Sequence, residues 1–321
     1  MPVTKNHQSP ETLRAMARKA FPEKTVAQID ELTAGYFNAA YMITFEDGSR
    51  SVVKIAAANS DGLMSNEVNM MTAEIRAMDI ARANGIPHVA QVQYHDATRT
   101  LCSGEYFFME ALPGDSYDQL RQELSDEQRA AIDYEIGAYE KALQAIPGTH
   151  FGMLGDDQRK FSCLYDFVRY LLSNAIADGE RRQVSVPLTG EQILSALEKD
   201  RAVFDEVTQP TLVHWDMWPG NIFIQDGHIS GVIDWERAMW TDPLLDDRFR
   251  RHGRCPAFLE GFGLAQLSDS QYRRILWYDV FLYLTMMVEC FYRLYETLDQ
   301  YHHAQPRLMA SWEELERCRM G

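Results

Sequence analysis

The sequence is short of positive charge. Its 321 residues carry 31 lysines and arginines against 47 aspartates and glutamates, a formal net charge of -16. That deficit argues against a nucleic-acid partner, since such binding relies on clustered Lys and Arg to neutralise phosphates. Paired cysteines are also lacking. Cys102, Cys163, Cys255, Cys290 and Cys318 are scattered, with no C-x-x-C pair and no zinc-like spacing. The expectation is reduced thiols in a cytoplasmic protein. The first residues hold no apolar core of the kind a signal peptide needs, so none is expected. The most hydrophobic late stretch, "VFLYLTMMVECFYRLY", is broken by Glu289 and Arg293 and reads as a buried helix rather than a membrane span. Internal repeats and low-complexity linkers are missing too.

What is present is a composition of folded, soluble type, with 46% hydrophobic and 24% charged residues. The length allows a large core or two lobes sharing an interface. Near residue 112 the chain changes character. Before it, "SPETLRAMARKAF" predicts an amphipathic helix, and "AYMITFEDGSRSVVKIA" predicts a hairpin turning at Asp47-Gly48. "GLMSNEVNMMTAEIRAMDIARANG" predicts one long helix stopped by Gly85 and Pro87, and "AQVQYHD" and "EYFFMEAL" predict strands. After Pro113-Gly114, helices are expected at about 125–146, 160–178, 190–207 and 270–299. One strand-loop-hairpin block, turning at Asp226-Gly227, interrupts them. The fold class is therefore α+β, with a small antiparallel-sheet lobe over residues 1–111 and a larger, mainly helical lobe over 112–321.

The block contains "HWDMWPGNI", His214 to Ile222, whose contents suit neither a helix nor a buried strand. It lies between the short strand "TLV" and a hairpin that ends in "VIDW". Asp216, Asn221 and Asp234 thus bring three oxygen-bearing side chains to one end of a stiff unit. Mg²⁺ prefers such hard ligands and keeps several waters, so one carboxylate and one amide are a reasonable protein share. Asp216 then stays free to orient an attacking hydroxyl and accept its proton. Phosphoryl transfer asks for such a set, together with a cation on the nucleotide phosphates. Lys54, among apolar β-formers in "SVVKIA", supplies that cation. Glu67 and Glu74, seven residues apart on the expected helix, are both candidates to pair with it.

The order Lys54, helix glutamate, His214-x-Asp216-x₄-Asn221 and Asp234 matches the kinase template in sequence and role. The wording "HWDMWPGNIFIQDGHISGVIDWERAMWTDPLLD" resembles the aminoglycoside phosphotransferase and choline kinase-like family of small-molecule kinases. The D-P-x-x-D turn of that family reads here as Asp242, Pro243 and Asp246. The resemblance spans about residues 33–250. It implies a bilobal protein-kinase-like fold, a nucleotide-binding first lobe, and a second lobe that is catalytic and binds the acceptor. Asp216 would be the catalytic base, and Asn221 and Asp234 would bind Mg²⁺. Lys54 would hold the phosphates of ATP, or GTP, with Glu74 rather than Glu67 as its helix partner. Backbone groups from Glu110 to Leu112 would meet the adenine, and His214 would brace the loop. The phosphate-covering segment "LTAGYFNAAYMI" has Gly35 but no G-x-G-x-x-G, and Trp215 stands where the family often has glycine.

The implied activity is transfer of a γ-phosphoryl group to a hydroxyl of a small molecule. An aminoglycoside-like or other amine-bearing acceptor comes first, with choline, sugar or amino-alcohol acceptors close behind. A protein kinase is disfavoured, because Trp215 replaces arginine before Asp216 and "DWERAMWTDP" leaves no room for a long activation segment. A nucleotide-binding pseudokinase that serves as an interaction module is the alternative from another class. The aromatic and Met residues of the late helix are expected mainly in the core, with Asp279 reaching the acceptor site. His302-His303 is expected at a solvated helix end, and Asp246 to Arg254 as an exposed loop.

Overall fold

The computed structural model describes residues 5–33, 38–58, 62–250 and 253–320. The chain opens with α1 (Pro10–Ala20), started by Ser9, whose hydroxyl accepts from the backbone N–H of Thr12. β1 (Val26–Leu32), β2 (Ala39–Phe45) and β3 (Arg50–Ile55) follow, then α2 (Met70–Ala83), β4 (Val92–Asp96) and β5 (Tyr106–Glu110). The strands form one antiparallel sheet in the order β1-β2-β3-β5-β4. α1 and Phe21 cover one face, where Phe21 packs edge-on against Phe45 and Phe108. α2 covers the other through Ala73, Ala77, Met78 and Ala81. Lys54 sits in β3 opposite Ala40 and Phe107, which fixes its side chain on the α2 face.

The long helix expected from Gly62 begins only at Met70. Asn69 adopts a left-handed backbone, with φ 46°, and this breaks any helix running into it. Residues 62–69 instead form a strap laid across the second lobe. Ser65 donates to Asp178 through both its backbone N–H and its hydroxyl, Asn66 donates to Leu171 O, and Asn69 to Gly155 O. β1 was not expected as a separate strand. It is an edge strand of mainly exposed residues, so its sequence lacks the apolar alternation of its neighbours.

The second lobe holds β6 (Asp115–Ser116), the one-turn α3 (Tyr117–Leu120), α4 (Asp126–Gln144), β7 (Gly152–Met153) and α5 (Leu164–Arg181). α6 (Gly190–Lys199) and α7 (Arg201–Asp205) divide the helix expected at 190–207, and β8 (Thr211–Val213) leads into the loop at His214. β9 (Ile222–Gln225) and β10 (His228–Val232) make the hairpin, where Asp226 and Gly227 both have positive φ, 53° and 83°. β11 (Met239–Thr241), α8 (Pro256–Phe262), α9 (Asp269–Arg293) and α10 (Asp299–Met320) complete the chain. Capping boxes at Ser125/Gln128, Thr189/Gln192 and Ser268/Gln271 begin α4, α6 and α9. α9 is long and apolar enough to cross a membrane by composition, but 78% of its apolar window is buried within the lobe. It is the central core helix, with Trp277, Tyr278, Phe281 and Met287 enclosed.

The two lobes meet along a seam of backbone bonds as well as side chains. Val232 of β10 donates to His88 O, and Val89 bridges Val232 in parallel fashion. The residues after Ile86 in the first lobe are thereby stitched to the strand that leads to Asp234.

Candidate active site

The hairpin holds its ends together. Ile233 donates its backbone N–H to Asn221 O, so the residue before Asp234 is pinned beside the metal-ligand candidate at the start of β9. His214 is fully buried and serves the same purpose. Its Nε2 bonds Ile233 O at 3.0 Å, and its Nδ1 accepts from the Asp216 backbone N–H at 3.2 Å. This pair of bonds requires the neutral Nε2–H tautomer. Burial agrees with it, pushing the imidazole down to about 4 although Asp234 opposes the shift. Trp235 packs edge-on against the ring at 4.5 Å. His214 therefore braces the loop.

Asn221 spends its amide nitrogen on Asp216 O at 3.0 Å, which leaves its amide oxygen as the atom available to a cation. Asp234 has a left-handed backbone, φ 68°, at the turn that follows the hairpin. It makes no helix-capping bond. Its carboxylate instead meets Lys54 Nζ at 2.8 Å, while Glu74 binds the same ammonium through both oxygens at 2.8 and 2.7 Å. Burial opposes the charge on Lys54, but Asp234, Glu74 and Glu236 outweigh it and hold the ammonium protonated.

Glu236 is the group the sequence reading overlooked. Its Oε2 lies 3.8 Å from Lys54 Nζ and accepts a 2.6 Å hydrogen bond from Asn38. The signal was present, since Glu236 stands two residues beyond Asp234 in "VIDWE". Glu74, Asp234 and Glu236 offer oxygens within 4.8 Å of one another. Three carboxylates thus face one lysine. Burial, with Asp234 beside it, pushes the Glu236 carboxyl well above the usual range. An oxygen-rich pocket with such an excess of negative charge has the donor chemistry of a hard divalent cation.

Asp216 is half-buried, and burial raises its carboxyl to about 7. Arg237 opposes that rise, and Asp234, Asp247 and Asp246 reinforce it. Trp215, just before it, has φ 73°. An L-residue pays in strain for that backbone, which explains why glycine suits the position. Here the tryptophan ring stacks on Phe281 at 5.5 Å, the Arg237 guanidinium lies 5.2 Å from its centroid, and Asp247 N–H binds its carbonyl. Trp218, by contrast, is 40% exposed and does not hold the loop to the core.

Other expectations separate from the site. Glu67 does not reach α2 or Lys54; it caps the Met64 N–H and pairs with Arg237 and Arg293. Of the segment expected to meet the adenine, Glu110 gives its backbone N–H to Gln91 O, which leaves the carbonyl side of that residue and the backbone of Ala111 and Leu112 for the role, and Leu112 packs half-buried against Gly231 beyond the strand end. Gly35 lies outside the described residues. Asp279 does not reach an acceptor site, because it is buried and takes hydrogen bonds from Arg250 and Ser311. The stretch from Asp246 is no exposed loop: Asp246, Arg248 and Arg250 are each at most 2% exposed. Arg248 pairs with Asp133, and Arg250 with Asp279. Asp242 accepts from Arg274 and Tyr278, so the D-P-x-x-D turn is anchored on α9. His302 and His303 are exposed at the start of α10, as expected.

Solved structures of small-molecule kinases share this arrangement of elements. An APH(4)-Ia mutant in ternary complex with AMP-PNP and hygromycin B superposes with a TM-score of 0.66 at 18% identity, covering 94% of this chain and 98% of that one. A protein from Thermobifida fusca YX-ER1 assigned as a fructosamine-3-kinase gives 0.69 at 16% identity, covering 95% and 100%. The streptomycin–ATP complex of APH(2")-IIa gives 0.61 at 17% identity, covering 97% of each chain. No curated protein sequence matches the chain. Residues 28–247, the stretch from β1 through the loop of Asp216 to the turn at Asp246, match the phosphotransferase enzyme family, and the chain belongs to that family.

Proposed function

We propose that this small-molecule kinase of the phosphotransferase family moves the γ-phosphoryl group of ATP to a hydroxyl of its acceptor, with Asp216 as base. One observation carries the reading: the ammonium of Lys54 is clamped between Glu74 of one lobe and Asp234 of the other. Asp216 and Asn221, meanwhile, are tied to each other five residues apart. A clamped lysine can meet phosphates in one place, and a tied loop can present base and metal ligand in fixed relation.

Lys54 binds the nucleotide phosphates from the first-lobe side, and Glu74 keeps it aimed. Asn221 and Asp234 hold Mg²⁺, with Glu236 as a further oxygen donor; the ion, when bound, supplies charge neutralisation on the phosphates. The acceptor hydroxyl approaches Asp216, which takes its proton as the acceptor oxygen bonds to the γ-phosphorus. The bond to the β-phosphate oxygen breaks and ADP leaves. A carboxyl near 7 is suited to that proton transfer at neutral pH.

An amine-bearing acceptor is the class we start from, supported by the net charge of -16 and by the hygromycin B and streptomycin bound in two neighbours. The division into a nucleotide lobe before residue 112 and an acceptor lobe after it belongs to the same proposal. The decisive experiment measures ATP consumption and product mass across aminoglycosides, macrolides, choline and sugars. A product heavier than its acceptor by one phosphoryl group, formed by the wild type and not by Asp216→Asn, supports the reading. Equal turnover by the variant refutes the base.

A further inference from the structure

Asn38 reaches from the first lobe to Glu236 of the second, 198 positions further along the chain. It stands immediately before β2 and two residues before Ala40, which pairs with Lys54 in the sheet. Its side-chain Nδ2 donates to Glu236 Oε2 at 2.6 Å, and the two residues are only 8% and 6% exposed. Either group would be costly to bury without a partner, so the bond fixes both.

The rest of the cluster does not hold Glu236 in the same way. An ammonium has three N–H donors, and Lys54 gives them to both oxygens of Glu74 and to one of Asp234. Glu236, 3.8 Å away, feels the charge of Lys54 but receives no hydrogen from it. Its hydrogen bond comes from Asn38 instead. A neutral amide suits that task. An arginine or lysine there would cancel the charge of the carboxylate and compete with a metal ion, whereas an amide orients the oxygen and leaves its charge in place. The site around it is one where that charge has a use. Glu236 is separated from Asp234 by Trp235 alone, and the Trp235 indole N–H bonds Val232 O, so the two carboxylates sit on one pinned turn. Together with Glu74 they offer oxygens within 4.8 Å of one another, a spacing compatible with a shared hard divalent ion.

We propose that Asn38 is a positioning residue for the metal site: it holds Glu236 toward the cation bound by Asn221 and Asp234, so that the full set of oxygen donors is assembled only when the two lobes are docked. The inference rests on the reading of Asn221 and Asp234 as Mg²⁺ ligands, and adds to it a first-lobe residue that acts through Glu236 rather than on the ion. Moving the lobes apart takes the amide away and leaves the carboxylate free to turn. Tight binding of the Mg²⁺-nucleotide is thereby tied to lobe docking.

The test reads AMP-PNP affinity of the full-length protein by isothermal titration, once with excess Mg²⁺ and once in EDTA. Asn38→Ala should weaken binding about tenfold with Mg²⁺, the scale of one hydrogen bond to a charged group, and leave it unchanged in EDTA. In a Glu236→Ala background the same change should cost nothing further, because its effect runs through that carboxylate. Should Asn38→Ala unfold, Asn38→Ser places a smaller polar side chain in the same buried slot and is read in the same way. Equal weakening in both buffers, or a loss that adds in full to that of Glu236→Ala, overturns the proposal; so does wild-type affinity with Mg²⁺. Asp234→Asn, titrated in parallel, reports on the phosphotransfer reading. If it binds with Mg²⁺ as the wild type does, the metal assignment itself fails; if it is weakened while Asn38→Ala is not, the inference about Asn38 fails alone.

Discussion

The side-chain amide of Asn221 donates to the backbone carbonyl of Asp216 at 3.0 Å, so the proposed metal ligand and the proposed base share one hydrogen bond. Asp216→Asn should therefore remove turnover by orders of magnitude while leaving nucleotide affinity nearly intact. Asn221→Ala should impair both, because it removes a ligand and frees the loop. Isothermal titration with Mg-ADP, set beside steady-state rates, separates the two patterns.

The pH profile follows from the same carboxyl. With Asp216 pushed up to about 7 by burial, its basic form is depleted as pH falls. In the free enzyme, kcat/KM should drop about tenfold per pH unit below that point. A profile flat from pH 8 to 5 would contradict the assignment.

Lys54→Met leaves Glu74, Asp234 and Glu236 facing one another without an ammonium. Removing one partner of a buried ion pair costs about 3–5 kcal/mol. The stranded carboxyls would take up protons in the folded state, so the stability lost should return in part as pH falls. Denaturant unfolding at pH 8 and pH 5.5 should show the larger deficit at pH 8.

Asp96 gives the opposite sign. A hydrogen bond from Lys19, then those from Thr98 and Tyr106, hold its carboxyl well below the usual range. A depressed carboxyl contributes stability above its unfolded pKa of about 3.9, and that stability is lost as pH falls through its folded value. Asp96→Asn should lower Tm at pH 7, and its deficit should shrink in strongly acidic buffer.

Trp215 separates strain from packing. Trp215→Ala loses the Phe281 stack and the Arg237 contact but keeps the left-handed backbone, whereas Trp215→Gly loses the same contacts and sheds the strain. The glycine variant should be more stable than the alanine variant by about 1 kcal/mol in urea unfolding. Equal stabilities would mean that the backbone at 215 carries no strain.

How legible the molecule was depended on the range of the interactions involved. Asp216, Asn221 and Asp234 could be placed together because a loop and one tight hairpin separate them, and a hairpin returns the chain by local rules. Helix spacing left Glu67 and Glu74 both open, and only the family resemblance favoured Glu74; the start of its helix was not legible at all. The break at Asn69 is set by bonds to Asp178, Leu171 and Gly155, far along the chain. Arg248 and Arg250 read as exposed because their partners Asp133 and Asp279 are distant in sequence. α10 escaped notice because Pro306 lies inside it, a residue that ordinarily ends a helix.

The strap from Gly62 to Asn69 is anchored on α5 and α9 at one side and continues into the helix of Glu74 at the other. Widening the nucleotide cleft must therefore load the bonds to Asp178, Leu171 and Gly155. The strap is a tether of fixed length: the helix that aims Glu74 at Lys54 can swing away from the second lobe only as far as those three anchors let it, so opening the cleft and loosening the lysine clamp are one motion rather than two.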